Sequence, residues 1–255
     1  MSLTRIWSKD KYNQMNKFIK FLIIFFIINA SAFANDRCIY QNIDEKKPKI
    51  MIVGDSQIDN DFNNCNLLST LISSKLNQNI DAFVEGGSGY VSKNIKLKGA
   101  KSFKKLTKKA KITNYDWVVW ISGADLNSIR EENQNKLEKQ TNKILSDDLT
   151  KGYLIKTFNF EQNKNTNFII GLTSDLSKKL KDKKYTLLLK SGKLLIERYK
   201  KLDQKYDNVY FLPLQNFINK DDKSNYTDKY DGVHYSDKSM NILSNEIVKI
   251  INSKK

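Results

Sequence analysis

The 255-residue chain contains one histidine, His234, in the run Asp231-Gly232-Val233-His234. Imidazole is the side chain that exchanges protons most readily near neutral pH. Any imidazole chemistry in this protein therefore has a single address. Far upstream, the apolar run Ile50-Met51-Ile52-Val53 stops at Gly54-Asp55-Ser56. A serine hydroxyl becomes a useful nucleophile only when a base takes its proton. Ser56 falls where an apolar strand meets a helix, so its own N–H can also face a developing oxyanion. His234 is the candidate base. Asp231, three residues earlier, can accept the other ring N–H and fix the tautomer.

These residues need a scaffold that brings both ends of the chain together. Lys49–Val53 reads as a buried strand, and residues 62–76 carry apolar side chains at helical spacing. A short strand at Asp81–Val84 and a basic helix over 101–110 come next. Trp117–Ile121 is the clearest strand, with a polar helix over 128–146 behind it. Residues 148–166 read as a short insertion that could form a lid. Then come a strand at Phe168–Leu172, a helix over 191–206 and a strand at Val209–Leu212. Ser236 caps a last helix bearing Ile242, Leu243, Ile247, Val248 and Ile251. Strands alternating with helices predict an α/β fold, a parallel sheet covered on both faces. Ligands of such sheets bind beyond the carboxyl ends of the strands, where each polar motif named here falls.

The amino terminus reads as a targeting segment. Lys17 and Lys20 precede the apolar stretch Phe21–Ile28, and Ala32-Phe33-Ala34 supplies a small-x-small cleavage site. The apolar core is shorter than the roughly 20 residues of a spanning helix. An uncleaved amino-terminal anchor is the alternative. Met15 is the better-placed start of such a signal, which makes residues 1–14 an upstream extension. The expected division is therefore 1–34, extension and signal peptide, and 35–255, a single domain exported to the periplasm or beyond the cell. No stable membrane span is expected after cleavage.

Cys38 and Cys65 both fall in the mature part, and an even pair in an exported protein reads as a disulfide. It would contribute roughly 3 kcal/mol if unstrained. Two cysteines and one histidine without ligand spacing give no zinc site. The net charge is +16, and +12 without residues 1–34. Such a field favours anionic partners, but the lysines are scattered. The one dense run, Lys96–Lys111, reads as a solvated helix rather than a dedicated binding patch, and no nucleic-acid partner is expected. Trp117 and Trp120 read as core, and Asp147-Asp148 and Asp221-Asp222 as helix-end or loop charges. Gly86-Gly87-Ser88-Gly89-Tyr90 lacks the last glycine of a nucleophile elbow. Gly99-Ala100-Lys101-Ser102 lacks the upstream glycine of a phosphate loop.

With Gly54-Asp55-Ser56 as first block and Asp231-Gly232-Val233-His234 as last, the mature domain resembles the SGNH hydrolases, or GDSL esterases and lipases. The resemblance implies a three-layer α/β/α sandwich around a mostly parallel five-stranded sheet, flavodoxin-like in order. It implies a serine hydrolase acting on esters, with Ser56, His234 and Asp231 as triad and no cofactor. Ser88-Gly89 stands in the second block, which makes Gly89 an oxyanion donor beside the N–H of Ser56. The third block departs. Where the family has Gly-x-Asn-Asp, this chain reads Gly123-Ala124-Asp125-Leu126-Asn127, with Asp125 at the asparagine position. Losing an oxyanion donor costs about 10²–10³-fold in rate. Three arrangements fit: a protonated Asp125, Asn127 reaching in from two residues later, or a site that is weak or inactive. The expected substrates are O-acetyl groups on carbohydrates, short acyl esters or lipid esters. The rivals are an acyltransferase on the same fold and a ligand-binding homologue without turnover.

Overall fold

The computed structural model describes residues 49–55, 58, 67–84, 110–122, 134–172, 183–219, 222–225 and 234–254. Five strands form one sheet: β1 Ile50–Gly54, β2 Ile80–Val84, β3 Trp117–Ile121, β4 Asn167–Gly171 and β5 Val209–Leu212. Their order is β2-β1-β3-β4-β5 and every pairing is parallel. This is the flavodoxin-like order. The expected sheet was mostly parallel; the described one is wholly so.

The described helices are α1 Leu67–Leu76, α2 Gln134–Ile144, α3 Tyr153–Phe158, α4 Lys183–Lys205 and α5 Asp237–Ser253. Side chains alternate across each strand, and along the inner strands β1, β3 and β4 both sides are buried. Met51, Val53, Val118, Trp120, Phe168 and Ile170 face the layer that includes Leu154 and Phe158 of α3 and Leu195, Tyr199 and Leu202 of α4. Ile50, Ile52, Val119, Ile121 and Ile169 face Leu68 and Ile72 of α1 and Met240, Leu243, Ile247 and Ile251 of α5. Double burial is why these three strands read as unbroken apolar runs. Trp117 and Trp120 are core residues, 4% and 0% exposed.

Several boundaries differ from expectation. β1 and β4 lie one residue away from the expected spans, at Ile50–Gly54 and Asn167–Gly171. The helix expected over 191–206 begins at Lys183. Its first turns contain Leu187, Leu188 and Leu189 in succession, a run with no 3.6-residue period. Most of the basic run 96–111 lies outside the described residues; Ile112–Asn114 forms a single 3-10 turn. Residues 1–34, Cys38 and Cys65 also lie outside them. Among the described residues, no helix is long and apolar enough to cross a membrane.

Segment 148–166, which reads in sequence as a short insertion of open role, packs buried side chains into the core. Leu149, Leu154, Phe158 and Phe160 are all buried. Phe158 packs edge-on against Trp120 at 5.2 Å between centroids, and Phe160 edge-on against Phe168 at 4.9 Å. The end of the segment is tied to the amino ends of the strands. Thr166 Oγ1 donates to Tyr115 O at 2.8 Å, and Asn208 Nδ2 donates to Thr166 O at 2.9 Å. Arg198 of α4 is buried and donates Nη1 to Leu145 O at 2.6 Å, just past the end of α2. Burial lowers the pKa of its guanidinium.

Candidate functional site at the carboxyl rim of the sheet

Parallel pairing aligns the last residues of all five strands. Gly54 lies opposite Val84 and Ile121, Ile121 opposite Gly171, and Gly171 opposite Leu212. The strand order reverses between β1 and β3, because β2 and its crossover lie on one side of β1 and the later strands on the other. Such a switch point opens a crevice at the carboxyl ends.

Two polar residues stand at that point. Asp55 follows β1 and Ser122 follows β3, and both are fully buried. Ser122 Oγ donates to Asp55 Oδ2 at 2.9 Å. A hydroxyl given to a buried carboxyl repays part of its desolvation. The chain turns at once after β1: Ile58 N–H donates to the Asp55 carbonyl at 3.2 Å, and Ile58 is buried. Gly54 allows this closeness. A Cβ there would lie 2.8 Å from the carbonyl oxygen of Ile121 and collide with the Ile58 side chain. The glycine of Gly54-Asp55-Ser56 is thus a packing requirement between adjacent strand ends.

His234 comes from the other end of the chain. It is half-buried, directly ahead of buried Tyr235 and of Ser236, the cap of α5. The direction of α5 fixes which rim these residues approach. Lys254, just past its carboxyl end, holds Nζ 5.0 Å over the ring of Tyr210, the second residue of β5. That end therefore lies at the amino rim of the sheet. A helix of this length spans about 25 Å, so its start lies toward the carboxyl rim, the rim of Asp55 and Ser122.

The loop after β5 carries two further single-turn 3-10 segments, Leu214–Asn216 and Lys223–Asn225. The second docks on the start of α5. Ser236 N–H donates to Asn225 O at 3.0 Å, and Ser239 Oγ donates to the same carbonyl at 2.8 Å. Asp222 accepts from Ser224 and from Lys238 Nζ, the latter at 3.0 Å. The Ser224 hydroxyl, followed by Lys238, pulls its carboxyl pKa down to about 2. In sequence Asp221-Asp222 reads as helix-end or loop charges, and Ser122, Asn225 and Ser239 stand in no recognisable motif. A polar residue ending each of two neighbouring apolar strands was the available sign of the Asp55–Ser122 pair.

Of the residues singled out for chemistry, His234 is described. Ser56, Gly89, Asp125, Asn127 and Asp231 lie outside the described residues.

No protein-family model matches this sequence, and no curated protein matches it. Solved structures do match. One is a family two carbohydrate esterase from Clostridium thermocellum in complex with cellohexaose, with TM-score 0.55 and 16% identity over 82% of this chain and 64% of that one. This chain thus spans a little under two thirds of that protein. A carbohydrate acetylesterase family member from Sinorhizobium meliloti aligns with TM-score 0.55 and 13% identity over 80% of this chain and 98% of its own. An SGNH-hydrolase candidate from Slackia heliotrinireducens aligns with TM-score 0.52 and 11% identity over 81% of this chain and 100% of its own. Identities this low speak to architecture. A wholly parallel sheet in the order β2-β1-β3-β4-β5 between two helical layers, with these neighbours, is the SGNH-hydrolase fold.

Proposed function

We propose that the protein is an exported serine esterase that hydrolyses carboxylic esters, with O-acetyl groups on carbohydrates as the preferred class. In this reading Ser56 Oγ attacks the acyl carbon while His234 takes its proton. His234 then returns that proton to the departing alcohol, leaving an acyl-enzyme. Water, deprotonated by the same imidazole, releases the acid and restores Ser56. Asp231 orients the imidazole. The N–H groups of Ser56 and Gly89 face the oxyanion, with Asp125 or Asn127 completing the hole. Residues 1–34 act as extension and signal peptide, and Cys38 pairs with Cys65 in the mature domain.

The observation that carries the reading is the Asp55–Ser122 bond at the switch point, one residue from Ser56 in sequence. The start of α5 brings His234 toward that same rim. The carbohydrate preference is borrowed from the carbohydrate esterases of like fold.

The test is hydrolysis of p-nitrophenyl acetate by the purified chain beside Ser56→Ala and His234→Ala. Each substitution is expected to lower kcat at least about a thousandfold. Activity that survives Ser56→Ala overturns the mechanism. A second reading, a carbohydrate-binding homologue without turnover, is favoured by one feature, the carboxylate of Asp125 at the usual asparagine position. Inactivity of the unsubstituted chain together with binding of an acetylated oligosaccharide would select it.

A further inference from the structure

We infer that Ser236 and Ser239 are positioning residues for His234, acting by stapling the start of α5 to the turn at Lys223–Asn225. The inference rests on His234 serving as the base. The residues just after His234 are held at several points. Ser236 donates its N–H to Asn225 O at 3.0 Å and its hydroxyl to Ser224 O at 2.6 Å. The same hydroxyl caps α5 by accepting from Ser239 N. Ser239 Oγ, fully buried, gives Asn225 O its second donor at 2.8 Å. Lys238 Nζ spans Asp222 Oδ2 at 3.0 Å and Ser224 Oγ at 2.8 Å on the outside. Asn225 is itself buried, and its Nδ2 donates to Asn219 O at 2.9 Å, tying the turn back to the loop that leaves β5.

The Ser236–Asn225 bond joins the two ends of segment 226–235, and His234 is the penultimate residue of that segment. An imidazole is anchored to the fold through its backbone, and here that backbone enters the helix through the stapled residues. A base must sit within hydrogen-bond reach of the hydroxyl it serves, and displacement by an ångström costs up to about a hundredfold in rate. A helix cap alone would need one acceptor at Ser236. The hydroxyl donations from Ser236 and Ser239 to carbonyls of another segment add nothing to capping, and they fix where the helix starts relative to β5.

The experiment exploits the single histidine, whose ring gives one set of imidazole resonances in the whole chain. Ser239→Ala keeps the cap and removes one staple; Ser236→Ala removes cap and staple; Ser236→Thr keeps both. Ser244→Ala is the control, because that hydroxyl bonds Asn241 O within the helix. Ser236→Ala and Ser239→Ala are expected to shift or broaden the imidazole signal. They should lower kcat for p-nitrophenyl acetate about tenfold with little change in KM. Ser236→Thr should restore both readouts, and Ser244→Ala should leave both alone. An unchanged imidazole signal and kcat in Ser239→Ala, with only a lower melting temperature, would overturn the inference. If the unsubstituted chain shows no esterase activity, the proposed function fails separately. The imidazole signal then decides the staple by itself, a shift in Ser239→Ala supporting it and no shift overturning it.

Discussion

Asp55 has no exposed surface, and a carboxyl group in that position must be given hydrogen bonds or lose much of the stability that burial brings. Ser122 is one donor, at 2.9 Å, and it arrives from the neighbouring strand end. The pair therefore does two things: it satisfies Asp55 and it locks the ends of β1 and β3 to each other. Ser122→Ala removes the donor without filling the space with anything polar. It is expected to lower the free energy of unfolding by about 1–3 kcal/mol, read as an earlier midpoint in urea. A midpoint equal to that of the unsubstituted chain would mean that other donors suffice for Asp55. At this scale the sequence was half legible. Glycine, aspartate and serine at the end of an apolar run mark a rim position. That Asp55 looks inward to Ser122 depends on which strand lies beside β1, and strand order is a property of the whole sheet.

The strands were the most legible elements, because burial on both faces leaves uninterrupted apolar runs that end at Gly54, Ile121 and Gly171. Short helices and 3-10 turns were not, since six residues or fewer cannot display a helical period. α3 is the instructive case. It is bounded by Gly152 at φ +115° and Asn159 at φ +42°, residues that tolerate such backbone. In the sequence these polar and small residues read as an excursion from the fold. The structure instead seals the sheet face with Leu154 and Phe158 of this helix. A lid would tolerate truncation of its aromatics, whereas a core would not. Phe158→Ala is therefore expected to cost about 3–5 kcal/mol in urea unfolding. A cost near zero would make the segment a surface flap. The stapled start of α5 escaped for another reason: its acceptors are the backbone carbonyls of Ser224 and Asn225, and every residue has one of those.

Over the whole molecule, one sheet order gathers what the sequence keeps far apart. Residues near 55 and near 122 meet at the switch point, and α5 runs back along the sheet so that its start approaches the same rim. Two loops, one just past α2 and one just ahead of α5, are held by exposed carboxylates bonded locally, and those bonds give the fold a definite response to acid. Asp148 accepts from Ser146 first and then from Thr150, and Asp222 accepts from Ser224 first and then from Lys238; each pKa is drawn down to about 2. A carboxylate whose folded pKa is depressed stabilises the fold above its unfolded pKa, near about 4. That contribution disappears as pH falls through the folded value. The melting temperature should thus hold steady from neutral pH to about pH 4 as far as these groups are concerned, then fall toward pH 2. Both groups are exposed to solvent, so each effect is small. The pair Asp148→Asn and Asp222→Asn should flatten the curve in that window while leaving its neutral limb parallel to the original. A decline already complete above pH 5, unchanged in the double variant, would assign acid unfolding to other groups and leave these two carboxylates as local loop ties alone.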